Sequence, residues 1–334
     1  TLFQFMPTDG YAENVNYIRL SAAFPYYHRN IMGLSKKYAV GYIDSTGIER
    51  TDTVALFDPA TDSLASTFIR SRNKQIDPED KPAKWENFRS LKIDTAGSLA
   101  VMTVHSFGSR GRLPSFFRKS FRQLRKKNIP NLVIDLRTNG GGKVNNYTTL
   151  ARYIRDTPFK VADTATAMHN GLGHYKRYFT SGWLNSMILF FATTKKEDDR
   201  YHFRYWENHV FHPPKKNHYN GQVFVLINGP TFSASTLFAH TVKAQSNVLL
   251  VGEEAGGGAH GNSGILIPDV VLPETKMKVR MPLFRLVQYH HAPKDGRGVM
   301  PDIDVPPTVE NVRKGRDGKM DKVMEIIKDS SAIQ

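Results

Sequence analysis

The feature that most constrains the fold is a series of short, continuous apolar runs, each followed by a turn and then by a helical pattern. The runs lie at residues 99–104, 132–136, 223–227 and 248–251. Helical patterns follow the first three, at 114–127, 144–154 and 235–243. An uninterrupted apolar run is typical of a strand that is covered on both faces. The β–α–β–α–β order therefore predicts an α/β fold, with a mostly parallel sheet and helices packed against it.

Outside this pattern the character of the sequence changes several times, which suggests how the chain is organised. At 334 residues, the length is typical of about two domains. Two strand-like runs flank the turn tetrad at 44–47 and predict a hairpin over 38–56. The predicted divisions are an N-terminal β region (1–57), a linker rich in Asp, Pro, Ser and charge (58–90), the main domain (91–310), and a charged C-terminal helix within 311–334. Residues 163–219 lack a regular period and are predicted to form a lid or insertion.

Composition excludes several classes of function. The chain has no Cys, so disulfides, thiolate metal sites and Cys nucleophiles are absent. Its 12 His are scattered without metal-ligand spacing, and we predict neither a metal nor another cofactor. No apolar run reaches the roughly 18 residues of a membrane span, so no integral membrane segment is predicted in this chain. The net charge of +15 allows an anionic partner, but the basic segment 112–127 has no aromatic platform on its polar face, which argues against nucleic acid.

The first turn that could carry chemistry follows the run at 132–136 and contains Gly140, Gly141 and Gly142. Three glycines allow a sharp bend that exposes backbone N–H groups, which can hold a phosphate or an oxyanion. A phosphate loop requires Ser or Thr after its Lys, whereas Val144 follows Lys143 here, so that interpretation is rejected. A tight strand-to-helix turn without chemistry remains the alternative.

The second turn follows the run at 223–227 and contains Ser233, Ala234 and Ser235. A Ser between a strand and a helix lifts its hydroxyl to the sheet edge, and the next N–H points outward at the helix start. These are the requirements for a nucleophile and half of an oxyanion hole. The alternative is that Ser233 or Ser235 only caps the helix.

Four motifs resemble those of the tail-specific (C-terminal processing) serine peptidases. They are Asp135-x-Arg137-x-Asn139-x-Gly141-Gly142, the serine segment at 225–236, Gly252-Glu253, and the turn at 299–302, and they lie in the family's order over two thirds of the chain. The resemblance implies a crotonase-like spiral core, preceded by the remnant of a PDZ-like β domain at 1–57. It also implies Ser233 as nucleophile, the N–H groups of Gly141 and Ala234 as oxyanion hole, a peptide or protein substrate, and a location outside the cytoplasm.

The general base departs from the family's pattern. Gly258 occupies the place of the family's catalytic Lys, which points to the tricorn-like branch with its upstream His. No matching His context precedes residue 91, so the resemblance implies a base upstream of this chain and a chain that lacks the family's N-terminal part. Asp295 matches the acidic residue of that branch. Within the chain His260 is the best candidate base, whereas His105, His290 and His291 are interpreted as core or solvated residues.

These observations leave three hypotheses. The first is a serine peptidase that hydrolyses peptide bonds, and among such enzymes a carboxyl-terminal processing endopeptidase. The second is a family member without catalysis that binds peptide or lipid. The third is a binder of anions or nucleic acid, whose affinity would fall steeply with salt.

Overall fold

The computed structural model describes residues 2–6, 8–58, 87–94, 96, 98–243 and 245–332. The chain forms two compact units, one of Thr1–Met6 with Arg19–Lys84 and one of Pro7–Ile18 with Trp85–Gln334. Residues 8–18, which the sequence analysis grouped with the N-terminal region, therefore belong to the larger unit. Most of the predicted linker, 59–86, lies outside the described residues. In the part of the chain that is described, no helix is long and apolar enough to cross a membrane.

The first described residues include a short 3-10 helix (Phe3–Phe5), a longer α-helix and a hairpin. Helix α1 (Asn14–Met32) leaves helical geometry at Ala23, two residues before Pro25. Strands β1 (Lys37–Ile43) and β2 (Glu49–Ala55) pair antiparallel, which confirms the predicted hairpin. Its turn is held by Asp44, whose carboxylate accepts hydrogen bonds from the N–H groups of Thr46 and Ile48 at 2.8 and 3.1 Å. The assignment of this region to a PDZ-like domain stays a prediction.

The larger unit continues with alternating strands and helices. The elements up to residue 208 are β3 (Arg89–Asp94), β4 (Leu99–Val104), α2 (Leu113–Lys126), β5 (Asn131–Asp135), α3 (Val144–Ile154), β6 (Ala162–Ala167), α4 (Gly182–Ala192), β7 (Thr193–Lys195), β8 (Tyr201–Phe203) and α5 (Arg204–Asn208). The elements after it are β9 (Gln222–Ile227), α6 (Ala234–Lys243), β10 (Val248–Gly252), β11 (Gly261–Asn262), β12 (Asp269–Val271), β13 (Lys278–Arg280), β14 (Arg285–Gln288), β15 (Ile303–Asp304), α7 (Val309–Lys314) and α8 (Gly318–Ala332).

The main sheet has six strands in the order β15-β10-β9-β5-β4-β3. All its pairings are parallel except that of β3 with β4. This mixed α/β architecture with a largely parallel sheet confirms the fold class predicted from the apolar runs. The strand and helix positions also agree, since α3 spans the predicted residues 144–154 and α6 begins one residue before the predicted helix.

Both faces of this sheet are covered, which explains the uninterrupted apolar runs. One face contributes Leu132, Ile134 and Val225 to the large core that α2, α3 and α6 close with residues such as Phe117, Leu150 and Phe238. The opposite face contributes Val133, Phe224 and Val251, which pack with Val323 of α8. The sheet is therefore the middle layer of three.

Two predicted features differ from the structure. Residues 163–219, expected to be irregular, supply β6, β7 and β8 to an antiparallel sheet of order β11-β14-β6-β8-β7. Its strands are only two to six residues long, and β6 pairs with β14 far along the chain, so local periodicity gives no signal. The single helix expected within 311–334 is preceded by a second, shorter one, because Gly315 adopts the left-handed conformation (φ 60°) and ends α7 before α8 begins.

Arg137 joins the end of β5 to the start of α8. Its guanidinium pairs with Asp135 at 2.7 Å and with Asp317 at 2.7 Å. Burial opposes ionisation of Asp317, but the hydrogen bond and the charge of Arg137 outweigh it and lower the pKa of that carboxyl group. Arg137 of the signature motif therefore connects the end of β5, just before the glycine turn, to the residue that precedes α8.

We predict that Arg137→Met lowers the free energy of unfolding by about 1–2 kcal/mol at neutral pH, because two carboxylates lose their partner. A lowered folded-state pKa stabilises the protein above the unfolded pKa of about 3.9, and this contribution disappears as the pH falls through the folded pKa. The difference from the wild type should therefore shrink below about pH 4. Urea unfolding at several pH values measures it, with Arg118→Met on the exposed face of α2 as control. A pH-independent difference would contradict the electrostatic account.

Candidate active site

Two turns meet at one edge of the main sheet. The glycine turn follows β5 and the serine turn follows β9, and these strands are parallel neighbours. Because the carboxyl ends of parallel strands lie at the same edge, the two turns are brought together. The N–H of Phe232 donates to the carbonyl of Asn139 at 3.1 Å and links them directly. The two turns are therefore in contact, as they must be if Gly141 and Ala234 are to form one oxyanion hole.

The buried side chain of Asn139 shapes the glycine turn. Its Nδ2 donates to the carbonyl of Val104 at the end of β4 at 2.9 Å. Its Oδ1 accepts from the N–H of Gly141, also at 2.9 Å. Asn139 is fully buried, so each lost bond would leave a desolvated polar group. The Asn of the signature motif thus ties three strand ends into one arrangement.

Ser233 stands on a strained turn and its hydroxyl is free. Its φ of 52° lies in the left-handed region, which a non-glycine residue adopts at a cost. Within the described residues its Oγ makes no hydrogen bond, so it does not cap α6. Ser235 is no cap either, since its Oγ is buried without a hydrogen-bond partner in that part of the chain. Strain and a free hydroxyl at a strand-to-helix turn are the features of a nucleophile elbow.

Gly141 lies directly against the serine. A Cβ atom at position 141 would come within 2.8 Å of the Ser233 Cβ and 3.0 Å of the Ala234 nitrogen. Gly141 also has a φ of 103°, so both space and backbone geometry require glycine. The three residues predicted to form the nucleophile and the oxyanion hole are therefore in mutual contact.

The two predicted oxyanion donors differ in one respect. The N–H of Ala234 donates to no acceptor among the residues that the structure describes. The N–H of Gly141 is already bonded to Asn139 Oδ1. The N–H of Gly141 could bind an oxyanion together with that of Ala234 only if its hydrogen bond to Asn139 Oδ1 breaks or is shared when the ligand binds.

Two glycine-containing stretches that sequence reasoning did not assign complete the surroundings of Ser233. A Cβ on Gly264 would lie 3.4 Å from Ser233 Oγ. The N–H of Gly264 donates to Asn262 Oδ1 at 2.8 Å. A Cβ on Gly257 would lie 3.0 Å from the nitrogen of Ser233. The run of glycines at 256–258 was visible in the sequence, but nothing local indicated that it backs onto the serine.

His260 and Asp295 are not joined to Ser233 by hydrogen bonds among the described residues. His260 Nδ1 donates to the carbonyl of Ala292 at 2.9 Å, and its ring packs edge-on against His291. Because Nδ1 carries the proton, the neutral ring keeps a lone pair on Nε2. Asp295 is exposed and accepts from the N–H of Arg297 at 2.9 Å. Their catalytic roles stay predictions.

The other candidate histidines have separate partners. His105 Nδ1 is 2.7 Å from Thr138 Oγ1 beside the glycine turn, and His291 pairs with Asp163 at 2.8 Å. The carbonyl of His290 accepts from His240 Nε2. Burial is the main cause of a lowered pKa at His240. None of the described His, Asp and Glu residues form a group of three or more that could hold a metal ion.

An N-terminal segment also borders the site, which the sequence did not indicate. Asp9 Oδ2 accepts from the N–H of Gly258 at 2.8 Å. Asn14 Nδ2 donates to the carbonyl of Glu254 at 2.6 Å. Glu254 is largely buried, and its carboxylate holds the 297–298 turn through the N–H of Gly298 and the guanidinium of Arg297. These contacts join residues far apart in the chain, so only the folded structure shows them.

The fold and this arrangement define an α/β protein with a serine at a strained strand-to-helix turn beside a glycine bend. Residues 98–305 match the profile of Peptidase family S41, and the chain belongs to that family. Membership implies a serine hydrolase of the peptidase type. The family predicted from the four motifs is therefore confirmed.

Two solved structures show the same fold at low sequence identity. A candidate peptidase from Parabacteroides merdae ATCC 43184 is 17% identical, with 98% of this chain and 94% of that chain covered and a TM-score of 0.51. Mature CPAF is 16% identical, with 89% and 68% covered and a TM-score of 0.55. No curated protein matches this sequence.

We predict that Asn139→Ala lowers the free energy of unfolding by about 2–3 kcal/mol, because it removes two buried hydrogen bonds and leaves their partners unpaired. Exposed Asn145→Ala on α3 is the matched control and should change stability by less than about 0.5 kcal/mol. Chemical denaturation measures both. Equal, small effects would show that the side chain of Asn139 does not hold the turns together.

Proposed function

We propose that this chain carries the nucleophile of a serine peptidase, with Ser233 attacking the carbonyl carbon of a peptide bond. The observation that carries the proposal is the position of Ser233 Oγ on a strained turn, in contact with Gly141 and next to the N–H of Ala234. Neither the hydroxyl nor this N–H makes a hydrogen bond to any residue that the structure describes. The developing oxyanion would lie against the N–H of Ala234, with that of Gly141 as second donor. Loss of one such donor typically lowers the rate about a hundred- to a thousandfold.

For the base we propose a histidine outside this chain, as the tricorn-like branch would supply it. His260 is the alternative within the chain, since its tautomer leaves Nε2 able to accept a proton. Asp295 would orient the base. We further propose, at the level of resemblance, carboxyl-terminal processing of proteins, a crotonase-like core, a PDZ-like origin of the hairpin β1–β2, and a location outside the cytoplasm.

A second function is favoured by one specific observation. No described His, Lys, Asp or Glu side chain forms a hydrogen bond to Ser233 Oγ. A family member without a base would bind a peptide or lipid and leave it intact. The two functions are separated by whether the hydroxyl of Ser233 reacts.

We predict that a fluorophosphonate probe labels Ser233 in the full-length protein, because an activated hydroxyl displaces the probe's leaving group. Ser233→Ala should abolish labelling. Ser235→Ala, which changes the neighbouring buried hydroxyl, should retain it. Mass spectrometry of the labelled peptide identifies the residue. Labelling that persists in Ser233→Ala would remove the proposed nucleophile, and absence of labelling in the full-length wild type would favour the binding function.

A second comparison locates the base. If His260 is the base, His260→Ala should slow labelling about a hundred- to ten-thousandfold, whereas His291→Ala should not. If the base lies outside this chain, both variants of the full-length protein should react like the wild type, and the isolated chain should react slowly. The rate of labelling against pH in each variant measures the result.

A further inference from the structure

A large apolar cavity lies in the larger unit, outside the surroundings of Ser233. Its volume is about 640 Å³, within the range of small-molecule sites. Among the residues that the structure describes, no Asp, Glu, Lys or Arg lines it. Most of its lining is apolar, including Met168, Leu172, Phe179, Leu189, Val270 and Leu283.

A second cavity of about 680 Å³ adjoins the first. The two share the lining residues His169, Gly171, Leu172 and Tyr175, so they lie side by side. The second part is more polar, with Asn170, His174, Lys176 and Ser186 on its lining. Within the described part of the chain neither lining contains Asp or Glu, and Lys176 is a cation on the second lining. The two adjacent cavities, taken together as one candidate site, are therefore apolar at one end and bordered by a cation at the other.

The walls are tied by backbone and side-chain hydrogen bonds. The N–H of Leu172 donates to Ser186 Oγ on α4 at 3.1 Å. The N–H of Thr180 donates to the carbonyl of Asp269 on β12 at 2.8 Å, and Leu283 is joined to Leu266 in the same way at 2.9 Å. These bonds connect the segments around the cavity to one another and to α4 and β12.

Helix α4 is apolar on faces that the core does not cover. Trp183, Phe190 and Phe191 are 65%, 62% and 72% exposed, and all three line the second cavity. A helix of such composition is normally buried. A ligand that covers these side chains would explain why they are apolar.

We propose that this site binds a long-chain fatty acid, with its alkyl chain in the apolar cavity and its carboxylate beside Lys176. An extended peptide fits less well, because its backbone N–H and C=O groups would be desolvated against a lining with few polar groups. An alkyl chain has none to satisfy, and each buried methylene favours binding. The cationic end selects a carboxylate over a neutral head group.

The test uses calorimetric titration of the full-length protein with laurate, myristate and palmitate below their micelle concentrations. Affinity should rise about fourfold per methylene until the cavity is filled. Gly171→Trp should weaken palmitate binding at least tenfold, because a Cβ at this position meets open space and the indole would occupy the site. Gly41→Trp in the exposed strand β1 is the matched control and should bind like the wild type.

The charge is tested separately. Lys176→Ala should weaken palmitate binding several-fold while leaving hexadecanol binding unchanged. Fluorophosphonate labelling of Ser233 should be the same in Gly171→Trp as in the wild type, which separates this site from the proposed peptidase function. The proposal is overturned if wild type binds no palmitate, if Gly171→Trp binds it equally well, or if an acetylated apolar tripeptide binds in the cavity and palmitate does not.

Discussion

The candidate site depends on one buried amide. Asn139 bonds to the end of β4 through Nδ2, to Gly141 through Oδ1, and to Phe232 through its carbonyl. These bonds are made in a desolvated position, where an unpaired group costs more than a made bond gains. The turns after β4, β5 and β9 therefore have little freedom to separate. Ser233 can hold a strained φ only because the surrounding structure is fixed in this way.

The same amide sets a chemical condition on the site. An oxyanion held by Gly141 would compete with Asn139 Oδ1 for one N–H, whereas Ala234 has an unpaired N–H in the described structure. Carboxamide oxygen is a neutral acceptor, and a negatively charged oxygen attracts the same donor more strongly. The resting bond therefore keeps the glycine turn closed without blocking a stronger acceptor.

How far the sequence predicts this structure depends on the range of the interactions. Residues 132–136 and 223–227 are recognisable as buried strands because a strand that is covered on both faces is apolar throughout. The residue types around Gly141 and Ser233 predict the turns that follow these strands. The sheet that contains β6 and β14 has no such local pattern, because its strands are short and these two paired strands are over a hundred residues apart in the sequence. The positions of Asp9 and Gly264 beside the site could not be predicted either, because they depend on contacts between residues far apart in the sequence. Gly315 is a local signal for the end of α7, but the amphipathic pattern continues past it and predicts one helix instead of two.

Part of the basic character of the chain lies on one face of helix α2. In α2 the apolar residues Phe117, Phe121 and Leu124 are buried, and the cations between them, such as Arg118 and Arg122, point to solvent. The basic run is thus the outer face of an amphipathic helix, which composition alone could not distinguish from a binding surface. Its long-range effect remains, because a net charge of +15 attracts anionic ligands at a rate that falls with ionic strength. Peptide carboxylates and fatty carboxylates would both benefit from that attraction, so the charge alone cannot tell them apart. The apolar lining of the cavity next to that of Lys176 favours an alkyl chain.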